Sequence, residues 1–316
     1  MGYLPGVPLP PEILAWEAAG EHLRVGVASH RLFVRSIGRR DAAAASTLLI
    51  VHGFPESSLS FRHNVEALSG RFERVVLVDL LGFGLSDKPK EASYSLFEQA
   101  DLVLEAWEQL GVRGGHLLGH DMGDSVVTEL LARHGRGLLP GWLDHGFQSL
   151  TFTNGNMVME LARLRISQSL LRTRLGSLLG RLASYRVFAQ QVRSASGGAL
   201  PEREIELMWA AVQHNEGGRV QHRIIRYLDE RDRFQSSRWL PALGAVKVPV
   251  HICWGEADRV APVAVARHLS AQVCPGARLT LLPGVGHFCQ QEDPAAWNRS
   301  VLRFWDEVRG RGAVVV

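Results

Sequence analysis

His116-Leu-Leu-Gly119-His120-Asp121-Met122-Gly123-Asp-Ser-Val-Val127 decides how this chain folds. His116–Leu118 reads as a buried strand and Asp124–His134 as a helix, with almost nothing between them. A strand that turns at once into a helix forces its central residue into strained backbone angles. Glycines two positions either side relieve the crowding that side chains would cause there. The central residue is then presented at a helix N-terminus, where N–H groups and the dipole favour negative charge. This is the strand–turn–helix corner on which many nucleophiles sit. Here the residue is Asp121. A carboxylate with a reference pKa of about 3.9 is ionised at neutral pH and needs no base to attack. Attack on an ester carbonyl would give an unstable anhydride. Attack on an sp³ carbon bearing a leaving group gives an alkyl ester that water can hydrolyse. Taken alone, the same residues also fit a plain turn with an N-capping aspartate.

Outward from this corner, short apolar runs recur at Thr47–Val51, Arg74–Asp79 and Ser149–Thr153, with a helical stretch at Leu96–Leu110. Alternation in His22–Ile37 predicts an antiparallel hairpin at the start of the sheet. Strand–helix alternation predicts a mostly parallel sheet flanked by helices. The alternation stops after residue 156. Residues 157–240 show only helical spacing, including an expected helix over Met159–Leu175 and another over Glu202–Val212. Strands return at Val248–Trp254 and Leu279–Leu282, each followed by a helical run, Val263–Val273 and Pro294–Val308. The expected organisation is an α/β core in two parts, 1–156 and 241–316, interrupted by a helical cap over 157–240.

Other motifs fall at strand ends, where open α/β sheets gather their chemistry. His52-Gly53-Phe54-Pro55 follows the run ending at Val51, so the Phe54 N–H can join the Met122 N–H in an oxyanion hole. Asp79–Pro89 has the glycines of a phosphate loop without its spacing, and reads as a structural turn behind the site. Trp254-Gly-Glu256-Ala-Asp258-Arg-Val-Ala-Pro262 offers Asp258 as the acid, with Glu256 competing, and Asp258 also fits a helix cap. Pro283-Gly-Val-Gly-His287-Phe288 offers the histidine, in the order nucleophile, acid, histidine. His120, beside the nucleophile, is the histidine expected to line the back of the site.

Composition narrows the function. The chain has 316 residues, 46% of them hydrophobic, enough for one large core. Its 35 basic and 32 acidic residues give a net charge of +3. Apart from a mild arginine cluster between Arg163 and Arg193 they are dispersed, which argues against a nucleic-acid surface. Cys253, Cys274 and Cys289 are odd in number and lack metal spacing, fitting a reducing compartment. No signal peptide and no apolar run of membrane-spanning length is visible, so a cytoplasmic protein off the membrane is expected. No metal or organic cofactor is called for, because the histidines show no ligand spacing. A monomer or homodimer fits equally well.

His-Gly-Phe-Pro, Asp79–Pro89, Tyr94-Ser-Leu-Phe-Glu-Gln-Ala100, Leu118-Gly-His-Asp-Met-Gly-Asp124, Met208-Trp-Ala and Tyr227-Leu-Asp-Glu-Arg231 together resemble one group. It is the epoxide hydrolase and haloalkane dehalogenase group of α/β hydrolases, in its mesoderm-specific-transcript-like branch. The resemblance covers nearly the whole chain. It implies a nucleophilic Asp121, a water-activating His287–Asp258 pair, and a pocket under the cap touching His52, Pro55, His120 and Trp209. It also implies cap tyrosines, Tyr227 and Tyr185, that hydrogen-bond an epoxide oxygen, since a phenol with a pKa of about 10 stays protonated. The expected activity is opening of a small-molecule epoxide by water to a vicinal diol. Dehalogenation is the alternative, with Met122 where that subfamily carries Trp and Phe54 where it often carries Asn. A non-catalytic binding protein on the same fold is the remaining reading.

Overall fold

The computed structural model describes residues 8–310 except 156, 164, 174, 175, 182 and 199. Its centre is an eight-stranded sheet: β1 (Glu21–Val25), β2 (His30–Gly38), β3 (Thr47–Val51), β4 (Arg74–Val78), β5 (Gly115–His120), β6 (Phe147–Thr153), β7 (Val250–Gly255) and β8 (Arg278–Leu282). The spatial order is β1-β2-β4-β3-β5-β6-β7-β8. The expected hairpin is there: β1 and β2 pair antiparallel, β2 runs antiparallel to β4, and every other pair is parallel.

Two-sided burial follows directly from the strand sequences. In β3, Leu49 and Val51 enter the core on one face while Leu48 and Ile50 enter the core on the other. Val76 and Val78 of β4 divide from Val75 and Leu77 in the same way. A residue period of two puts alternate side chains on opposite faces, so both faces must be covered. The elbow helix Met122–His134 and the helix Leu96–Gln109 cover one face, and Pro294–Gly310 lies against β7 and β8. This is the mostly parallel, helix-flanked architecture expected from the sequence.

Between β6 and β7 the described residues form helices and no strand. The chief helices of this insertion are Ile166–Leu171, Gly176–Arg181, Tyr185–Ala195, Glu202–Gln213 and Tyr227–Phe234. One expectation is corrected here. Met159–Leu175 is not a single helix, because its first residues are turn and irregular backbone and a helix begins only at Ile166. The reason is local: Met159 donates its backbone N–H to Gln235 Oε1 (2.7 Å), and Arg163 donates its own to the Val260 carbonyl (3.3 Å). Those bonds to distant segments replace the helical ladder.

The end of the insertion is bolted to the elbow helix. Arg238 donates twice to Glu129, at 2.7 Å each, and the Trp239 indole N–H donates to the same carboxylate at 2.9 Å. The Leu96 N–H donates to Glu230 Oε2 at 2.7 Å, which ties the next helix in as well. Cys253, Cys274 and Cys289 are buried free thiols. No described helix is long and apolar enough to cross a membrane.

Candidate active site

Asp121 directly follows β5 with φ 46° and ψ −107°, a conformation that side chains rarely adopt. The flanking glycines are needed to permit it. A Cβ at Gly123 would lie 2.1 Å from the Val51 carbonyl oxygen, and one at Gly119 would lie 2.6 Å from Asp124 Oδ1. Asp121 stands at the N-cap position of the elbow helix, yet its side chain accepts no capping bond. Its Oδ2 instead accepts the Phe54 N–H at 3.0 Å. That excludes the plain N-cap explanation and leaves a carboxylate turned toward the loop after β3. Met122 opens the helix, so its N–H is one of the first-turn donors without an intrahelical acceptor.

His287 follows β8, and its Nδ1 donates to Asp258 Oδ2 at 2.8 Å. Asp258 is held in turn by Asn154 Nδ2 (2.7 Å) and by the Val260 and Ala261 N–H groups on Oδ1 (2.7 and 2.9 Å). The capping role and the acid role are therefore one arrangement, which locks the carboxylate for the imidazole. Glu256 points elsewhere: it is partly exposed and lies 4.0 Å from Arg267. Burial would lower the His287 pKa. Asp258 chiefly, with Asp121 and Glu56, outweighs that and lifts it to about 9.

Asp121 and His287 both line a cavity of about 360 Å³ under the insertion. Phe54, Pro55 and Trp209 line it too, and most of the remaining wall is apolar, including Leu171, Val192, Val212 and Phe288. Five sequence-derived assignments thus meet at one space.

Others are placed differently. His52 does not line the cavity: it is buried, with Nδ1 bonded to the Gly53 carbonyl (2.9 Å) and Nε2 accepting the Leu80 N–H (3.0 Å). It is a brace between two loops. His120 is likewise behind the wall, with Nδ1 at Thr153 Oγ1 (3.0 Å) and Nε2 2.8 Å from Glu56 Oε2, close but not aligned as a hydrogen bond. Burial works to raise the Glu56 carboxyl, but His120 and His287 outweigh it and hold the group below its ordinary value. The loop Asp79–Pro89 is structural as expected, since Asp79 accepts the Ser58 and Leu85 N–H groups at 2.7 and 2.8 Å.

The two tyrosines separate. Tyr227, like Tyr185, is absent from the cavity wall, but it is buried directly beside Asp121, and burial first, then the Asp121 charge, raise its pKa and keep the phenol protonated. Tyr185 is not part of the site: its hydroxyl donates to Glu202, which also pairs with Arg193, and it is absent from the cavity wall. A helix N-terminal residue with an acid within reach on the neighbouring helix turns outward.

Arg231 has no role in the sequence reading, although it closes the quoted segment Tyr227–Arg231. Its guanidinium is buried over the Tyr227 ring, 4.7 Å from the centroid. Nη2 donates to the Asp121 carbonyl (2.7 Å), Nε to Ser125 Oγ (2.7 Å), and Nη1 lies 3.6 Å from Asp121 Oδ1. The i,i+4 spacing with Tyr227 on one helix was the available signal. Glu56 and Asn154 were also missed. Each sits one or two residues beyond a recognised strand or motif and acts through a long-range bond.

A family model described as alpha/beta hydrolase fold matches residues 46–294. The chain is similar to the "Putative hydrolase LipZ" of Mycobacterium tuberculosis, 37% identical over 92% of this chain and 97% of that protein. It is similar to the mesoderm-specific transcript protein of Mus musculus, 32% identical over 96% and 90% respectively. Among solved structures it resembles a haloalkane dehalogenase DbeA variant from Bradyrhizobium elkanii, with TM-score 0.74, 22% identity, and coverage of 93% and 98%. At that identity the structural likeness speaks to the fold alone. With the elbow, its glycines and the eight-stranded sheet all in place, the chain belongs to the alpha/beta hydrolase fold family.

Proposed function

We propose that this protein is an epoxide hydrolase that works through a covalent ester on Asp121. The observation that carries the reading is the Asp121 carboxylate itself: strained, uncapped, seated on the Phe54 N–H and opening on the same cavity as His287. Oδ2 already occupies the oxyanion site, so Oδ1 is the oxygen free to attack an epoxide carbon. Tyr227 donates to the ring oxygen and gives it a proton, while Arg231 holds the elbow through the Asp121 carbonyl. The product of this step is a hydroxyalkyl ester of the enzyme.

Esterification removes the Asp121 charge, one of those that hold a proton on His287. His287 therefore releases its proton to solvent once the ester has formed, becomes the neutral base that the second step needs, and regains a proton from solvent when Asp121 re-ionises. Its Nε2 takes a proton from water, Asp258 steadies the imidazolium, and the hydroxide attacks the ester carbonyl. The Phe54 and Met122 N–H groups hold the oxyanion, where a lost donor typically costs about 3 kcal/mol. Collapse expels the diol, protonated by His287. The proton released as Asp121 re-ionises returns to Tyr227, which balances the cycle. Styrene oxide hydrolysis tests the reading: the wild type turns it over, and Asp121→Asn loses at least about a thousandfold. Equal rates in the two proteins would leave a binding protein on a hydrolase fold.

Dehalogenation is the second reading, favoured by one observation. Trp209 lies on the cavity wall, and its indole N–H is buried without a partner among the described residues. Such a donor suits a departing halide. Bromide release from 1-bromobutane, exceeding styrene oxide turnover, would select it.

A further inference from the structure

Arg165 is the only arginine or lysine on the described cavity wall, whose sole carboxylate is the nucleophile Asp121. Its Nη1 is anchored to the Gln191 carbonyl (2.8 Å) and to Ser194 Oγ. Among the described residues its Nε is buried with no hydrogen-bond partner, and its side chain forms no ion pair. The carboxylate whose charge reaches it is Asp258, and both oxygens of that group are already committed to His287, Asn154 and two backbone N–H groups. Burial accordingly works against the guanidinium charge. A half-buried cation left without an anion is costly, and a ligand that supplies one recovers the cost.

The rest of the cavity describes the remainder of that ligand. Leu171, Val192, Val212, Val260 and Phe288 form an apolar wall, and Leu170 and Val187, each about half exposed, carry it out to the surface. We infer that the cavity takes an amphiphilic anion, with an apolar chain along the insertion helices and a carboxylate head paired with Arg165. This rests on the proposed reaction only in naming the substrate as an epoxide that bears such a head. The binding site itself stands on the cavity and its uncompensated cation.

Binding is tested without any turnover. Octanoate, octanol and octylammonium are titrated calorimetrically into the wild type, Arg165→Gln and Arg165→Lys at neutral pH. A charge-assisted hydrogen bond in a partly desolvated site predicts octanoate at least about tenfold tighter than octanol, with octylammonium weakest. Arg165→Gln should make octanoate and octanol equal, and Arg165→Lys should keep part of the preference. His287 is a second cation on the wall, so a preference that survives in Arg165→Gln would assign the attraction to the imidazolium and overturn the proposal. Equal binding of octanoate and octanol by the wild type, or no octanoate binding, would also overturn it. None of these outcomes depends on whether epoxides are substrates, which the styrene oxide assay settles separately.

Discussion

The two halves of the helical insertion meet the core in different ways. The later half, around Tyr227–Phe234, is built into the active-site floor: Arg231 reaches the Asp121 carbonyl and Ser125, and Arg238 and Trp239 converge on Glu129 of the elbow helix. The earlier half, around Tyr185–Ala195, meets the core through Ala189, Val192 and Ala195, which share an apolar cluster with Val260 and Phe288, and through backbone bonds near its end, where Ala195 accepts the His287 N–H (3.2 Å) and the Gly197 N–H reaches Glu292 (2.7 Å). Its polar side chains mostly serve the insertion itself, as in the Tyr185–Glu202–Arg193 cluster. One half is therefore tied to the Asp121 corner, and the other supplies part of the cavity wall.

Substitutions can break that division. The largest effect is expected from Arg231→Gln, which strands a buried carboxylate and removes the tie to the elbow. Stability should fall by about 3 kcal/mol or more, and turnover about a hundredfold, read by urea unfolding and initial rates. A variant with wild-type stability would show that the later half is only a lid.

Tyr227→Phe comes next. It removes one hydroxyl and should lower kcat about tenfold to a hundredfold with little change in melting temperature. Tyr185→Phe, on the outward cluster, should change kcat less than about threefold, the size of a lost surface contact. If the two variants behaved alike, the contrast between the halves would be lost.

A smaller effect concerns pH. The folded protein holds the His287 proton up to about 9, against an ordinary value of 6.5. A raised value contributes stability fully present below pH 6.5 and lost as the pH climbs through about 9. The difference in unfolding free energy between the wild type and His287→Gln should therefore shrink across that window. A difference that stays constant from pH 6 to about 9.5 would mean that folding leaves the proton affinity of the imidazole unchanged, and one that grows with pH near 6.5 would mean that the folded imidazole is neutral.

The same division explains what could be read in advance. Asp121, Phe54 and His287 were legible because backbone geometry defines them: a corner with glycines, and loops at strand ends. Strand positions followed from apolar runs that must be buried on both faces. Arg231, Glu56 and Asn154 were not legible as site residues, since their roles arise from bonds to partners far away in the chain. Tyr185 was misplaced for the mirror reason. Its helix was correctly put in the insertion, but only packing decides that its hydroxyl meets Glu202 rather than the cavity. His52 and His120 stand next to the site in sequence, yet their rings are claimed by Leu80, Thr153 and Glu56.

The bond between Asp121 and substrate carbon can be tested in a single turnover. Excess enzyme is mixed with styrene oxide in ¹⁸O-water, and the diol and the peptide containing Asp121 are weighed by mass spectrometry. Because water attacks the ester carbonyl, the heavy oxygen should appear in the Asp121 carboxylate while the first diol stays largely unlabelled. Heavy oxygen in that diol with an unlabelled Asp121 would mean that water opens the ring directly, and the covalent route would be wrong.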